Sequence, residues 1–262
     1  MPDGAAVAAG DRMAILRRML FPVRDSIPSR TPPVVNVSLI VLCSLVFVYQ
    51  LLLGPRVEAL FQLAAFIPAR LFDTLPAWST PQPDYGLLGN LATMVASMFF
   101  HGGWFHVIGN MWFLYVFGDN VEDTMGHARY LLFYLGGGLA ATIAQAVATP
   151  SSTVPTIGAS GAIAAVLGAY LVWFPHSRVH TLVFLFIFIT MAEIPAVIFL
   201  GFWFLLQFFQ GTLSLAASPA AGGVAWFAHV GGFAFGVTVA WWLRSRRRVR
   251  PEPPGYHVWY RY

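Results

Sequence analysis

The chain has 262 residues, 58% of them hydrophobic and only 10% charged, and its mean hydropathy is +0.68. Soluble domains carry about 25% charged residues, so the composition excludes an ordinary water-soluble globule and indicates an all-α integral membrane protein. The net charge of +4 comes from arginine with no lysine, and the arginines gather beside apolar segments. That placement reads as membrane topology rather than affinity for nucleic acid.

Residues 1–33 are mixed in character and contain Arg12, Arg17, Arg18, Arg24 and Arg30. They lack the short apolar core and small-residue cleavage site of a signal peptide, and read as a cytoplasmic N-terminal segment. Within them MAILRRMLF fits either a short amphipathic helix on the membrane surface or a solvated tail.

Six apolar segments follow, judged against the need for about 20 residues per helical span. The first, 34–53, is VVNVSLIVLCSLVFVYQLLL and holds the single cysteine, Cys43, which has no disulfide or metal partner in spacing. A long connection, 54–103, contains only half-apolar pieces and is expected to lie at the outer interface. The second segment, 104–117, is short and aromatic, and the third covers 130–149. The fourth, 158–174, begins within TIGASGAIAAVLGAY. The fifth, 181–209, is long, and the sixth covers 224–243. Residues 244–262 form an arginine- and proline-rich tail.

Six spans put both termini on one side. Five arginines precede the first span, and Arg244, Arg246, Arg247, Arg248 and Arg250 follow the last, whereas the connections 150–157 and 211–223 carry no charge. By the positive-inside rule both termini are cytoplasmic. The sequence-level expectation is thus a six-transmembrane-helix bundle over 34–243, multi-pass in a plasma (inner) membrane.

This topology places polar side chains at one depth. Ser160 lies two residues into the fourth segment, His229 five into the sixth, and His106 and Asn110 near the start of the second. At about 1.5 Å per residue all four fall within roughly the outer 10 Å of their helices. His106 and Asn110 are spaced i, i+4 and share a face. Polar groups in hydrocarbon are costly unless paired, so a mutually bonded cluster is the plain reading. A serine near a histidine is also the minimal nucleophile and general base, and a helix N-terminus can receive a negative oxygen. Gly158 and Gly161 let backbone approach a substrate carbonyl. Gly232 and Gly236 make a small-residue face beside His229 that suits close helix packing. Asp119, Glu122 and Asp123 lie roughly 20 Å deeper at the helical rise, so two residues are expected to act without an acid. Glu193 sits within the fifth segment, two residues before Pro195. The pair reads either as a structural pairing at a kink or as a gate.

Three blocks then resemble the rhomboid intramembrane serine proteases: HGGWFHVIGNMWFLYVFGDNVEDTMG, with G-x-x-x-E-x-x-x-G at Gly118, Glu122 and Gly126; GASGAIAAVLGAY; and AHVGGFAFG. The resemblance covers about 34–243. It implies peptide-bond cleavage in or beside transmembrane helices of membrane-protein substrates within the lipid bilayer, with no cofactor and no metal. It also implies Ser160 as nucleophile, His229 as base, and His106, Asn110 and the Ser160 N–H on the oxyanion. His101 matches a family histidine with a structural role. The pattern is departed from in two places. Ala164 stands where some members carry a ring stacked on the histidine, which leaves open what orients His229. Ala92 and Thr93 stand where some carry a Trp-Arg pair. The rivals are a catalytically dead relative, which usually loses the serine or histidine, and a transporter, which would place polar groups at midplane.

Overall fold

The computed structural model describes residues 20–72, 86–185, 188–214 and 224–246. The protein is mostly helical. Strand β1 (Leu20–Asp25) leads into helix α1 (Val34–Leu53), a single 3-10 turn, and the short helices α2 (Val57–Ala64), α3 (Pro68–Leu71) and α4 (Gly86–Ser97). Helices α5 (Trp104–Met125), α6 (His127–Ala148) and α7 (Ser160–Trp173) follow. Strands β2 (Arg178–Leu185) and β3 (Phe188–Pro195) come next, then helices α8 (Ala196–Ser214) and α9 (Trp226–Ser245).

Among the described residues, four helical stretches are long and apolar enough to cross a membrane: Val34–Ala64, His127–Ala148, Ala196–Ser214 and Trp226–Ser245. Helix α5 is as long as α6, but Asp119, Glu122 and Asp123 occupy its last two turns. Helix α7 has only 14 residues and lies at the centre of the bundle, with every residue from Gly161 to Tyr170 buried. The outward faces of α1, α5, α6 and α9 expose Leu52, Phe105, Leu132 and Trp241, as expected of surfaces solvated by lipid.

Helices α7 and α9 touch backbone to backbone. A methyl group added at Gly232 would collide with the carbonyl of Gly161, and one at Gly236 with the carbonyl of Ala165. Dispersion and weak contacts between closely apposed backbones drive association where lipid is as apolar as the side chains.

The expectation of an all-α chain is corrected at one point. The stretch 181–209 is not one helix: its first part belongs to a three-stranded antiparallel sheet in the order β1-β2-β3. Leu20 pairs with Val183 and Asp25 with Val179, while Arg178 pairs with Pro195 and His180 with Glu193. These strands are rich in Val, Ile, Thr and Phe, which suit a pleated surface. A continuous apolar run carries no period that separates strand from helix, which is why the sequence read as a span. Pro22 fits because β1 is an edge strand with a register shift between Pro22 and Arg24.

The correction changes Glu193 and Pro195. Glu193 is not an ionisable group deep in a helix. It sits half exposed on β3, 3.5 Å from Arg178 Nη1 and 3.7 Å from His180 Nδ1, an exposed pairing that contributes little. Pro195 is the last residue of β3 and kinks no helix. The first N–H groups of α8 go instead to the turn between α7 and β2, Ala196 to Ser177 O and Val197 to Pro175 O, both at 2.8 Å.

The end of the bundle near the sheet is held by polar groups. The Glu122 carboxylate accepts from the N–H groups of Val35 (2.9 Å) and Asn36 (2.7 Å) and lies 2.5 Å from His127 Nδ1. It thereby caps the N-terminus of α1, whose first N–H groups have no partner within the helix. Asn36 Nδ2 donates to Leu114 O, and Asn36 Oδ1 accepts from Tyr130 Oη; Gly118 leaves the space that the Asn36 side chain fills. Ser29 donates to Asp119 at 2.5 Å, Thr31 to Asp123 at 2.7 Å, and Arg30 Nε lies 3.0 Å from the same carboxylate. Residues 20–33 thus pack against this end of the bundle; of MAILRRMLF, read as either an amphipathic helix or a solvated tail, only Leu20 and Phe21 are described, and they belong to β1.

Asp25 closes this region. It accepts from Tyr170 Oη at the far end of α7 and from Asn120 Nδ2 at 2.8 Å. Burial pushes its carboxyl up to about 7, opposed by the Tyr170 hydrogen bond and aided by the charge of Asp119.

Two outcomes follow from this packing. Gly236→Val should destabilise the protein by roughly 1–3 kcal/mol or more through overpacking, read as a lower midpoint of thermal unfolding in detergent. For Asp25, the unfolded carboxyl ionises first as pH rises, so the folded state holds more protons and the contribution to stability is lost between about pH 4 and about 7. Amide exchange at residues 20–25, corrected for intrinsic rates, should show protection falling across that window, and Asp25→Asn should flatten the dependence.

Candidate active site

The opposite end of the bundle holds the remaining buried polar groups. The chain enters α7 through 156–159, pinned to the first connection: Thr156 N donates to Phe66 O at 2.8 Å and Gly158 N to Ser97 O at 2.9 Å. Gly158 has φ of +122°, a conformation that side-chain-bearing residues rarely adopt. It turns the chain so that Ser160 opens the helix. The N-cap position is Ala159, which gives no side-chain hydrogen bond to the first turn. The leading N–H groups of α7 are thus left for another acceptor.

Helix α9 brings His229 against this turn. Its Nε2 lies 2.8 Å from Ser160 Oγ. His229 is buried, whereas Ser160 is partly open, so the hydroxyl can be reached while the imidazole is shielded. On the other side of the ring, His229 Nδ1 lies 2.6 Å from Gln207 Oε1 of α8. The ring of Trp203, one turn before Gln207, is centred 5.9 Å from the imidazole, and that of Trp226 is centred 6.1 Å away, edge-on.

Helix α5 supplies the facing wall. Gly102 N donates to His106 Nδ1 at 3.3 Å, so Nε2 carries the proton. The space that a methyl at Gly158 would fill is bordered by His106 Nε2 at 2.6 Å and Ser160 Oγ at 3.7 Å. One turn further along the same face, Asn110 Nδ2 is buried with no acceptor among the described residues. A buried donor without a partner is uncommon. His106 Nε2 therefore lies close to the turn that carries the Ser160 hydroxyl, and Asn110 stands one turn further on the same helix.

His101 sits behind His106, with ring centres 5.2 Å apart. Its backbone is clamped by Gln50 of α1, which accepts from His101 N at 3.0 Å and donates to His101 O at 2.8 Å. Burial, then the neighbouring His106, pushes the His101 imidazole down to about 4, so it stays neutral at working pH.

The structure thus brings Ser160, His229, His106 and Gly158 together, with Asn110 on the same helix face as His106 and with Gly161 and Gly232 at the helix contact that sets their spacing. It leaves Glu122, Glu193 and Pro195 elsewhere: Glu122 is about 20 Å away along α5 at the helical rise, and the other two lie in the sheet. Ala164 is fully buried and packs near Gly232. Ala92 and Thr93 lie in α4, where Thr93 Oγ1 bonds Asn90 O. Among the described residues no group of three or more His, Cys, Asp or Glu could hold a metal ion.

Gln207, Trp203 and Gln50 were missed in the sequence. Gln207 lies seven residues before the end of α8, about 10 Å at the helical rise. The depth count that aligned Ser160, His229 and His106 would have aligned Gln207 as well. Glu193 drew attention in that stretch because its charge was the more conspicuous polar group.

The Rhomboid domain model matches residues 88–246, more than half of the chain. The chain belongs to the rhomboid family. Among its relatives, the putative rhomboid protease YdcA of Bacillus subtilis is 33% identical over 109 residues, 38% of this chain and 54% of that protein. Rhomboid protein 1, mitochondrial, of Saccharomyces cerevisiae is 27% identical over 168 residues, 62% of this chain and 44% of that protein. Rhomboid protease GluP of Bacillus subtilis is 34% identical over 99 residues, 38% of this chain and 19% of that protein. The matched stretches thus span about half or less of each relative. Family membership and the apolar helices make this rhomboid a multi-pass membrane protein.

His106→Ala removes the ring beside Ser160 while leaving the positive-φ turn at Gly158 intact. Phosphonylation of Ser160 by a fluorophosphonate should slow by about 10- to 100-fold, in line with losing one oxyanion donor, with the unfolding midpoint held within a few degrees. An unchanged rate would detach His106 from the chemistry.

Proposed function

We propose that this protein is an intramembrane serine endopeptidase that cleaves peptide bonds in or near transmembrane helices of membrane-protein substrates, using Ser160 and His229 as a dyad. The observation that carries this reading is the 2.8 Å approach of His229 Nε2 to Ser160 Oγ at an uncapped helix N-terminus.

His229 Nε2 takes the proton from Ser160 as Oγ attacks the scissile carbonyl. The carbonyl oxygen becomes an oxyanion, received by the first N–H groups of α7, His106 Nε2–H and Asn110 Nδ2–H. The imidazolium then gives its proton to the leaving amine, the C–N bond breaks, and an acyl-enzyme remains on Ser160. Water, deprotonated by the same imidazole, attacks the acyl carbon and restores the hydroxyl. A substrate helix has its carbonyls hydrogen-bonded and must unwind locally to present one, so glycine or other weak helix formers near the cut favour reaction.

A cleft beside Ser160 is lined by Met98, Gly138, Ala141, Thr142, Gly161 and Ala228. Its small residues fit a small side chain on the acyl side of the cut, so alanine there should be preferred to phenylalanine by tenfold or more, about 1.4 kcal/mol in transition-state binding. The six-span topology, with both termini cytoplasmic, the first connection at the outer interface and the site near the outer face of a plasma membrane, belongs to the same reading. It rests on the arginine distribution.

Cleavage of a labelled single-span substrate by purified protein in liposomes tests the proposal. Ser160→Ala and His229→Ala should each reduce the rate by at least about 10³-fold, the scale of losing a nucleophile or base, with unfolding midpoints near the parent's. Parent-like cleavage by either variant would end the dyad assignment.

A further inference from the structure

We infer that Gln207 is a positioning residue for the reaction: its side-chain carbonyl fixes the tautomer and tilt of His229, the role an acidic residue fills in three-membered serine hydrolase sites. The inference rests on the dyad reading above and adds to it a residue on a third helix.

The geometry is specific. Gln207 Oε1 is an acceptor, and it lies 2.6 Å from His229 Nδ1, so Nδ1 must carry the proton. The tautomer is then settled, because a neutral imidazole has one N–H and one bare nitrogen. Nε2 is left bare, and Nε2 is the atom 2.8 Å from Ser160 Oγ. Without this acceptor the ring could hold its proton on Nε2, where it would face the hydroxyl as a donor and could not take the serine proton. Both Gln207 and His229 are buried, at 7% exposure each, so the bond forms where the loss of either partner is not repaired by bulk water.

The surroundings fix the plane as well as the proton. Trp203 precedes Gln207 by four residues and so shares its face of α8. Its indole is centred 5.9 Å from the imidazole at an interplanar angle of 38°. Helix α8 thus presents a ring and an acceptor to His229 together, the acceptor on the ring nitrogen away from Ser160. With Ala164 at its place in α7, these α8 residues fill the orienting role.

An amide differs from a carboxylate in one testable respect. It accepts the Nδ1 proton without adding charge, so it fixes the tautomer while stabilising the imidazolium less than an acid would. A carboxylate at this place would favour the protonated ring, because an opposite charge within about 4–6 Å favours the charged form.

The test uses the full chain in liposomes with the single-span substrate, comparing the parent with Gln207→Leu, Gln207→Glu and Ser160→Ala. Gln207→Leu should lower kcat by about 10²-fold with KM within about twofold, since wrong-tautomer histidine loses turnover rather than binding. Gln207→Glu should restore most of kcat at high pH. The acidic limb of its pH–rate profile should move up by about one unit or more. If Gln207→Leu keeps the parent kcat and pH profile, the positioning role is overturned while the dyad stands. If Leu and Glu lose activity equally and the limb does not move, Gln207 merely packs the site, and the role is again overturned. Cleavage surviving in Ser160→Ala would overturn the dyad reading itself and this role with it. A lowered unfolding midpoint in Gln207→Leu would pass the decision to Gln207→Glu, whose shifted limb depends on charge and not on packing.

Discussion

The close approach of α7 and α9 governs the rest of the molecule. Their backbones meet where Gly232 faces the carbonyl of Gly161 and Gly236 that of Ala165. Imidazole and hydroxyl side chains are short, and each is fixed near its own helix axis. They can form a hydrogen bond only if the axes come much nearer than the 8–10 Å of ordinary helix pairs or if each happens to sit at the seam. Here small residues bring the seam together and His229 stands three residues from Gly232, so the 2.8 Å contact to Ser160 follows from packing rather than from a flexible loop.

The two ends of the bundle divide the polar inventory. One end spends it on bracing. Glu122 caps α1, Asn36 joins α1 to α5 and α6, and Asp25 ties β1 to Tyr170 at the far end of α7. Those groups are mutually bonded, as buried polar groups should be. At the other end, among the described residues, the first turn of α7 has no side-chain cap, Asn110 Nδ2 has no acceptor, and His106 Nε2 lies against Gly158. Buried donors without acceptors are costly in apolar surroundings, and in the proposed reaction a transient oxyanion would be their acceptor. Helix α7 links the two ends. Its N-terminus holds the hydroxyl, and its last turn is anchored by Tyr170 to the sheet.

Much of this was legible in the sequence because helical depth is simple arithmetic. Segment bounds of 34–53, 158–174 and 224–243 lie within a few residues of α1, α7 and α9, and counting residues from one face put Ser160, His229, His106 and Asn110 on a level. The sheet was not legible. Residues 178–195 are almost continuously apolar, so periodicity could not tell two strands from half a span, and Arg178 and Glu193 come together only once the chain turns back on itself. Gln207 was hidden differently. An amide in an apolar run carries no charge to mark it, and its meaning depends on which way α8 faces, which amphipathicity cannot reveal when lipid and protein interior are equally apolar.

A crystal structure of the protein carrying a fluorophosphonate adduct is the most direct measurement. The phosphorus should be bonded to Ser160 Oγ, its non-bridging oxygen should lie within hydrogen-bond distance of the α7 N-terminus and His106 Nε2, and His229 should remain beside the tilted ring of Trp203. An adduct on any other residue, or one on Ser160 with His229 more than about 5 Å from Oγ and beyond the reach of a hydrogen bond, would contradict the assignment of the pair as nucleophile and base.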